Sequence, residues 1–301
     1  MKSIMSITIG IPAYNEEANI RRLLLTLLAQ KTTICRIKEI IVISDKSDDS
    51  TNQEVRSIKN KKIKLIINSK RLGTALSQNK ITKLFKSDAL VIINADTLIK
   101  DLFFIQRLTL PLKDKKIGVV CPQVLPIKGG NFFERIINYS VQYKKAIFVD
   151  WKVGNNLYLC VGVARAFSKE CVERMTWKKV VSEDAYSYLD CVRLGYKFFF
   201  NSRTTIFYKS PSNFKDHLQQ SLRFLSGKKE MLEYFDEKLI KKEYLIPTKI
   251  KLSNAIKYFF KNPILFSAYL LILAGTFISS RTYEIDYAWK QSKSSKSLAN
   301  V

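Results

Sequence analysis

A single histidine, His217, occurs in 301 residues. Imidazole-rich zinc sites and metalloprotease motifs that need two histidines are therefore excluded. Any catalytic metal must be held mostly by oxygen ligands, which suits Mg2+ or Mn2+, and a general base falls to a carboxylate. Cysteine offers no scaffold: Cys35, Cys121, Cys160, Cys171 and Cys191 are odd in number, scattered and without a C-x-x-C pair. That pattern points to a reducing compartment. Acids are scarce too, 26 Asp+Glu against 51 Lys+Arg, and the formal charge of +25 calls for an anionic partner. Charge alone leaves nucleic acid, an anionic membrane surface and a phosphorylated substrate open. Apolar residues are not scarce. With 47% hydrophobic and 12% aromatic residues the chain is no disordered basic tail, and its length suits one large domain, or one domain plus an appendage. The short apolar stretch after Lys2 carries Ser and Thr and runs straight into Asn15-Glu16-Glu17, so it reads as a strand and not as an export signal.

The first 120 residues alternate two periodicities. Short β-branched runs at Ile7 to Ile11, Glu39 to Ile43, Ile63 to Ile67, Leu90 to Ile93 and Ile117 to Val120 read as strands. Helical spacing lies between them, at Asn19 to Gln30 and Thr74 to Phe85. Strands separated by helices imply an α/β fold with a mostly parallel sheet covered on both faces. Polar residues gather after the strands: Asn15 and Glu16, Asp45, then Asn94 and Asp96. Ligands of open α/β sheets bind outside the carboxyl ends of strands, so these positions are expected to share a crevice, although each could also cap the following helix. Residues 131 to 149 read as an amphipathic helix or helix pair, packed on its own domain or lying on a membrane. Ser182-Glu183-Asp184 marks a helix start and Gly195 its stop.

The C-terminal part changes character. Lys238 to Asn262 holds seven Lys and one acid, Glu243, while Pro263 to Ser280 has no charge. Eighteen residues make about 27 Å of helix, just short of a hydrocarbon core, so this segment could cross, enter one leaflet or be a core helix. Its basic flank favours membrane contact. The expected organisation is a catalytic domain over 1–235, a basic interface helix over 236–262, an apolar membrane segment over 263–280 and a flexible tail over 281–301.

Five motifs occur in order: Pro12-Ala13-Tyr14-Asn15-Glu16-Glu17, Ser44 to Thr51, Asn94-Ala95-Asp96, Ser182-Glu183-Asp184 and Gln220-Ser221-Leu222-Arg223-Phe224. Together they resemble the family 2 glycosyltransferases with the GT-A fold, including the membrane-bound branch that makes polysaccharides and glycolipids, over about residues 5 to 235. The resemblance implies a mixed, mostly parallel sheet with a Rossmann-like nucleotide half. It implies that Pro12, Tyr14 and Glu16 wall the nucleotide, that Asp45 hydrogen-bonds the base, and that Gly73, Ala75 and Asn79 form a small-residue helix start beside it. Asn94-Ala95-Asp96 is similar to the D-x-D signature, with Asp96 reaching the metal and Asn94, on the nucleotide side, left as a neutral acceptor for a ribose hydroxyl or water. Glu183 and Asp184 match the T-E-D motif, whose last acid serves as general base. Gln220, Arg223 and Phe224 match Q-x-x-R-W, near the diphosphate and acceptor. Departures from the family pattern are Asn94 for the first acid, Ser44, Lys46 and Ser50 for Asp, Gly and Gly, Phe224 for Trp, and Tyr208-Lys209 where many relatives have Tyr-His. His217 is offset from that last position and reads as a helix residue.

The chemistry agrees with the resemblance. A divalent cation on Asp96 and the guanidinium of Arg223 can stabilise a leaving diphosphate, and a carboxylate opposite can take the acceptor proton, giving inversion without a covalent intermediate. The expected activity is transfer from a nucleotide-diphosphate sugar to a lipid-linked or saccharide acceptor at the cytoplasmic face of the cell membrane, with Mn2+ or Mg2+. Single transfer is favoured over processive synthesis because one membrane segment is present, and a partner chain could supply others. The competing readings are a nucleic-acid binder, against which stand the acids at the strand ends and the lack of a nucleic-acid motif, and an inactive protein of the same fold.

Overall fold

The β-branched runs build one eight-stranded sheet. A computed structural model describes residues 4–175, 177–280, 294, 295 and 298. The strands are β1 (Met5–Ala13), β2 (Cys35–Ser44), β3 (Ile63–Ile67), β4 (Ala89–Ile93), β5 (Thr97–Leu98), β6 (Ile117–Pro126), β7 (Ala164–Ser168) and β8 (Lys197–Tyr208), in the spatial order β3-β2-β1-β4-β7-β6-β8-β5. The first four are parallel. β7 then enters antiparallel to both β4 and β6, β6 and β8 pair in parallel, and two-residue β5 closes the edge antiparallel to β8. All five residues of β4 are buried, as expected of a strand covered on both faces.

Helices α1 (Ile20–Leu28), α2 (Thr51–Ser57) and α3 (Thr74–Leu84) serve as crossovers in the parallel half. One core, built on Ile9, Leu24, Val91 and Phe104, lies on one side of the sheet. The other, built on Ile41, Ile81, Phe167 and Leu189, lies opposite and takes in α4's successors α6 (Lys169–Arg174) and α7 (Glu183–Arg193), α4 itself being Phe104–Thr109. Residues 131 to 149 become one nineteen-residue helix, α5 (Phe132–Asp150), opened by a capping box in which Asn131 and Glu134 bond each other's backbone N–H.

The C-terminal half is helical: α8 (Phe214–Met231), α9 (Glu237–Tyr244), α10 (Thr248–Lys261) and α11 (Pro263–Ser280). Where a single interface helix is expected over 236–262 there are two, because Pro247 cannot continue α9 and instead opens α10. α9 packs into the second core through Ile240, and its buried Glu243 accepts from Lys152 Nζ (2.6 Å) and the Tyr188 hydroxyl (2.7 Å). α11 lies against α5 and α8: Phe266 and Tyr269 meet Tyr143, and Gly275 faces the Phe214 ring. The expected tail falls mostly outside the described residues.

Candidate active site

The loops that leave the parallel strands are tied to each other. Asn15 and Lys46 both take positive φ, turning the chain sharply at the ends of β1 and β2. The N–H of Asp48 donates to Asn15 Oδ1 (3.1 Å), that of Asn15 to Ser47 Oγ (3.1 Å), and that of Glu16 to Thr51 Oγ1 (2.7 Å). Glu16 is buried and accepts from Asn19 Nδ2 at 3.1 Å. Pro12 lies in β1 opposite Ile43, and the Tyr14 ring carries the Arg71 guanidinium 3.9 Å above it.

Asp45, at the end of β2, organises the next turn. Its Oδ1 accepts from the N–H of Leu72 (2.8 Å) and from Asn68 Nδ2 (2.7 Å), and its Oδ2 from the N–H of Gly73 (2.8 Å). Gly73 has φ +88 and caps α3, a conformation that side chains rarely adopt. Asp45 and Gly73 thus act as one unit that starts α3, on which Ala75 is buried and Asn79 half-exposed. The mouth of α3 faces Lys179 to Val181 and Glu183 across a small cleft.

Asn94 and Asp96 follow β4, both half-exposed. The Asn94 N–H donates to the carbonyl of Val163 (3.0 Å), which fastens the loop to the residue before β7. Partial burial raises the Asp96 carboxyl from its ordinary value, and its own backbone N–H and then the Arg223 guanidinium pull it part-way back. Glu183, buried in the first turn of α7, is pushed up by burial and by the adjacent Asp184, while Arg165 and Arg223 oppose the shift. Asp184 accepts from the N–H of Gly162 at 3.2 Å, and a Cβ at Gly162 would meet Glu183 Oε1 at 3.0 Å, so the acid pair closes directly over that backbone. Arg223 therefore stands within electrostatic reach of both Asp96 and Glu183, two residues 87 positions apart in sequence.

α8 delivers Arg223 and is fixed to α7. The N–H groups of Val181 and Ser182 donate to Glu230 Oε1 (2.7 Å) and Oε2 (3.0 Å). Gln220 donates to Ser295 Oγ at 3.3 Å, and Phe224 is 65% exposed with its ring 6.2 Å from that of Tyr158. His217 is buried on α8, shares a hydrogen bond with Ser221 Oγ (3.3 Å) and meets Phe133 edge-on.

Three residues of this site carry no motif signal. Arg165 is fully buried on β7 and donates from Nη1 to the Glu183 carbonyl (2.9 Å) and Ser187 Oγ (2.8 Å), and from Nη2 to Gln78 Oε1 (3.0 Å). An arginine between alanines, in Ala164-Arg165-Ala166-Phe167, is the signal that could have marked it. Gly162 and Glu230 could be found only from the folded chain.

Among the described residues no three His, Cys, Asp or Glu side chains converge on a preformed metal cage. Asp96 offers one carboxylate and Asn94 one neutral amide oxygen at the end of β4, oxygen donors of the kind that suit a hard divalent cation.

A family profile, glycosyl transferase family 2, matches residues 8–176. The chain belongs to this family. Solved structures with the same fold include a mannosyltransferase, PcManGT from Pyrobaculum calidifontis, in complex with GDP-Man and Mn2+ (TM-score 0.61, 18% identity, 95% of this chain and 78% of that one). A second is glucosyl-3-phosphoglycerate synthase from Mycobacterium tuberculosis with Mn2+, UDP-Glc and phosphoglyceric acid (0.55, 15%, 77% and 81%). A third is TarS of S. aureus (0.56, 14%, 92% and 81%). Curated protein sequences yield no match. This family 2 chain is thus a glycosyltransferase with the GT-A fold, its mixed sheet and flanking helices agreeing with the expectation from the strand and helix pattern.

Proposed function

We propose that the chain transfers a sugar, with inversion, from a nucleotide-diphosphate donor to a lipid-linked or saccharide acceptor at the cytoplasmic face of the cell membrane. The observation that carries this reading is that the Arg223 charge acts on both Asp96 and Glu183. The loops of Tyr14, Glu16 and Asp45 receive the nucleotide, with Gly73 and Asn79 beside it. Arg223 and Gln220 hold the diphosphate, and Phe224 offers a ring to the acceptor. The acceptor O–H gives its proton to Asp184 as its oxygen attacks the anomeric carbon. The bond from that carbon to the diphosphate oxygen breaks on the opposite face, and its electron pair leaves with the diphosphate. A divalent cation held by Asp96, with Asn94 as a neutral donor, would supply charge neutralisation on the leaving group. Arg165, bonded to the Glu183 carbonyl, keeps the start of α7 in register with the site.

α10 and α11 support the membrane-associated part of this reading. Leu252, Ile256 and Phe260 of α10 and Ile264, Leu271 and Ile278 of α11 are all exposed, large apolar side chains of the kind that membrane-contact sites present. α11 is long and apolar enough to cross a bilayer, yet it packs from Phe266 to Thr276 along α5 and α8. Standing it across the bilayer would draw Lys144 and Lys145 of α5 into hydrocarbon, so the reading seats α10 and α11 in the plane of one leaflet.

A donor panel of nucleotide sugars, with and without Mn2+, read as released nucleoside diphosphate in the presence of lipid and saccharide acceptors, tests the reading. Mn2+-dependent release from one donor supports it. Absence of release from every donor refutes it and favours an inactive chain of the same fold, and salt-dependent binding to generic DNA without affinity for any nucleotide sugar would favour the nucleic-acid reading.

A further inference from the structure

Arg165 lies in the interior of the sheet, on a strand whose five residues are all buried. Side chains of a strand alternate between its two faces. Ala164 and Ala166 accordingly join the first core, while Arg165 shares the opposite face with Phe167 of the second. Its guanidinium carbon is 5.4 Å from the centre of the Trp177 ring.

Stability alone does not call for a cation here. A fully buried charge is costly, and a well-packed apolar side chain of similar volume serves a core as well or better. The polar groups around it are also incompletely matched: Arg165 Nε, Gln78 Nε2 and Trp177 Nε1 have no acceptor among the described residues. What the guanidinium achieves is a bridge. Its planar fork reaches two helices at once, Gln78 on α3 from Nη2, and the Glu183 carbonyl and Ser187 Oγ on α7 from Nη1. The Ser187 hydroxyl donates in turn to the Asp184 carbonyl (2.9 Å), and Glu183 Oε1 lies 4.0 Å from Nη2. Both residues of the acid pair are thus held through one side chain.

The other end of the bridge leads to Asp45. Lys80 of α3 donates to Asn68 Oδ1 (2.6 Å), and Asn68 Nδ2 donates to the same Asp45 carboxylate that accepts from Leu72 and Gly73 at the start of the helix. Hydrogen bonds and one helix therefore connect the loop that receives the nucleotide in the proposed reaction to the acid that takes the acceptor proton.

We propose that Arg165 is a positioning residue that couples the two sides of the site. α3, ordered when a nucleoside diphosphate engages the Asp45 loop, holds the first turn of α7 through Gln78 and Arg165, so the acid pair is set when the donor is in place. This goes beyond keeping α7 in register, because it gives Gln78, on the donor side, a share in the position of Asp184. The coupling rests on the transferase reading for its purpose, but nucleotide binding without turnover is enough to test it.

Hydrogen exchange of the full chain, with and without UDP, GDP, CDP or dTDP plus Mn2+, reads the coupling directly. A nucleotide that binds is expected to slow exchange across Glu183 to Asp190 of the parent about fivefold or more. Arg165→Met and Gln78→Met are expected to bind it with nearly unchanged affinity and to lose the slowing at α7, while the slowing near Asp45 and Gly73 persists. Arg165→Lys keeps the charge but not the fork, so it should recover little. In turnover, each methionine variant should lose kcat about ten- to hundredfold with donor KM nearly unchanged, and the double variant should lose less than the sum of the two. Gln78→Met leaves Arg165 and its α7 bonds in place, so it reports on the coupling even if Arg165→Met melts at a much lower temperature. Slowing at α7 that survives both substitutions, or a parallel loss of donor affinity and kcat in Gln78→Met, would overturn the proposal. Nucleotide binding and turnover with no response at α7 in the parent sinks the coupling and leaves the transferase. A response at α7 that needs Arg165 and Gln78, in a chain that releases nucleotide from no donor sugar, does the reverse. Failure of all four nucleotides to bind overturns both.

Discussion

The carboxylate of Glu230, near the end of α8, accepts the N–H groups of Val181 and Ser182 and so caps the start of α7 from another helix. Glu183 and Asp184 follow directly, so the helix that carries Arg223 also sets the position of the acid pair. Burial raises the Glu230 carboxyl, and the two N–H donors oppose that shift. Glu230 is then a positioning residue. Leaving two buried N–H groups without acceptors costs about 1–3 kcal/mol each, so Glu230→Ala is expected to lower the melting temperature and to cut kcat about ten- to hundredfold with donor KM nearly unchanged. Glu230→Gln, which keeps one acceptor oxygen, should recover part of kcat. A parallel loss of kcat and donor affinity would instead indicate a general unfolding of the site.

Gly227 makes that coupling close. A Cβ at this position would stand 2.4 Å from Ser182 Oγ and 3.2 Å from Ser182 Cβ. Gly227→Ala is expected to destabilise by about 1–3 kcal/mol through overpacking. Ser182→Gly removes both clashing atoms, so the double variant should be more stable than Gly227→Ala alone. Strict additivity in a denaturation cycle would show that the two helices do not press on each other here.

Glu183 gives a pH dependence of definite sign. Its folded pKa is raised, chiefly by burial and then by Asp184. Between the ordinary glutamate range and the raised value the folded chain holds more protons than the unfolded one, so stability falls as pH rises through that window. Glu183→Gln removes the ionisation. The difference in melting temperature, variant minus parent, should therefore grow from pH 4 towards neutrality and then level off. A flat difference would mean that the Arg165 and Arg223 charges already neutralise the site.

The proposed cation site at Asp96 makes Asn94 a test of the metal requirement. With one carboxylate at the strand end, cation affinity is expected to depend on the bound diphosphate. Asn94→Asp adds a second oxygen anion close to Asp96 and should lower the Mn2+ concentration for half-maximal donor turnover several-fold, whereas Asp96→Ala should abolish the Mn2+ response. An unchanged Mn2+ curve in Asn94→Asp would place the cation elsewhere.

Most of the first half was legible because its strands carry β-branched runs and its helices show helical spacing of apolar residues: Leu90 to Ile93 lies within β4, and Thr74 to Phe85 exceeds α3 by one residue. The second half was harder for physical reasons. β7 is five residues long and holds a buried arginine, and β8 is crossed by Asn201-Ser202-Arg203 opposite a register shift at Pro122 and Gln123 of β6, so neither has an alternating pattern. The acids and Arg223 could be named from motif order, but their mutual reach could not. It depends on Gly162, Gly227 and Glu230, whose contacts each join the backbone of one residue to the side chain of another and leave no pattern in a sequence.

The seating of α11 separates two membrane geometries. Ile264 and Ile278, 72% and 69% exposed, lie near opposite ends of the helix, about 21 Å apart at 1.5 Å per residue. If the helix lies in one leaflet, docked on α5 and α8, both ends face the same aqueous side. The five native cysteines are all buried free thiols, so single cysteines introduced at these ends can be read against a quiet background. In sealed vesicles with the catalytic domain outside, a membrane-impermeant maleimide is expected to label Ile264→Cys and Ile278→Cys at comparable rates, each slowed by the interface. A helix standing across the bilayer would expose only one of the two, since a charge on α5 carried to mid-bilayer costs about 2.5–3.5 kcal/mol by insertion scales and only the loss of the α5 contact would avoid it. Leu271→Glu, on the exposed face between them, adds a direct check: vesicle binding should fall while stability stays within about 0.5 kcal/mol. Labelling confined to Ile264→Cys, together with resistance of the membrane-bound chain to alkaline extraction, would mean that α11 leaves α5 and spans.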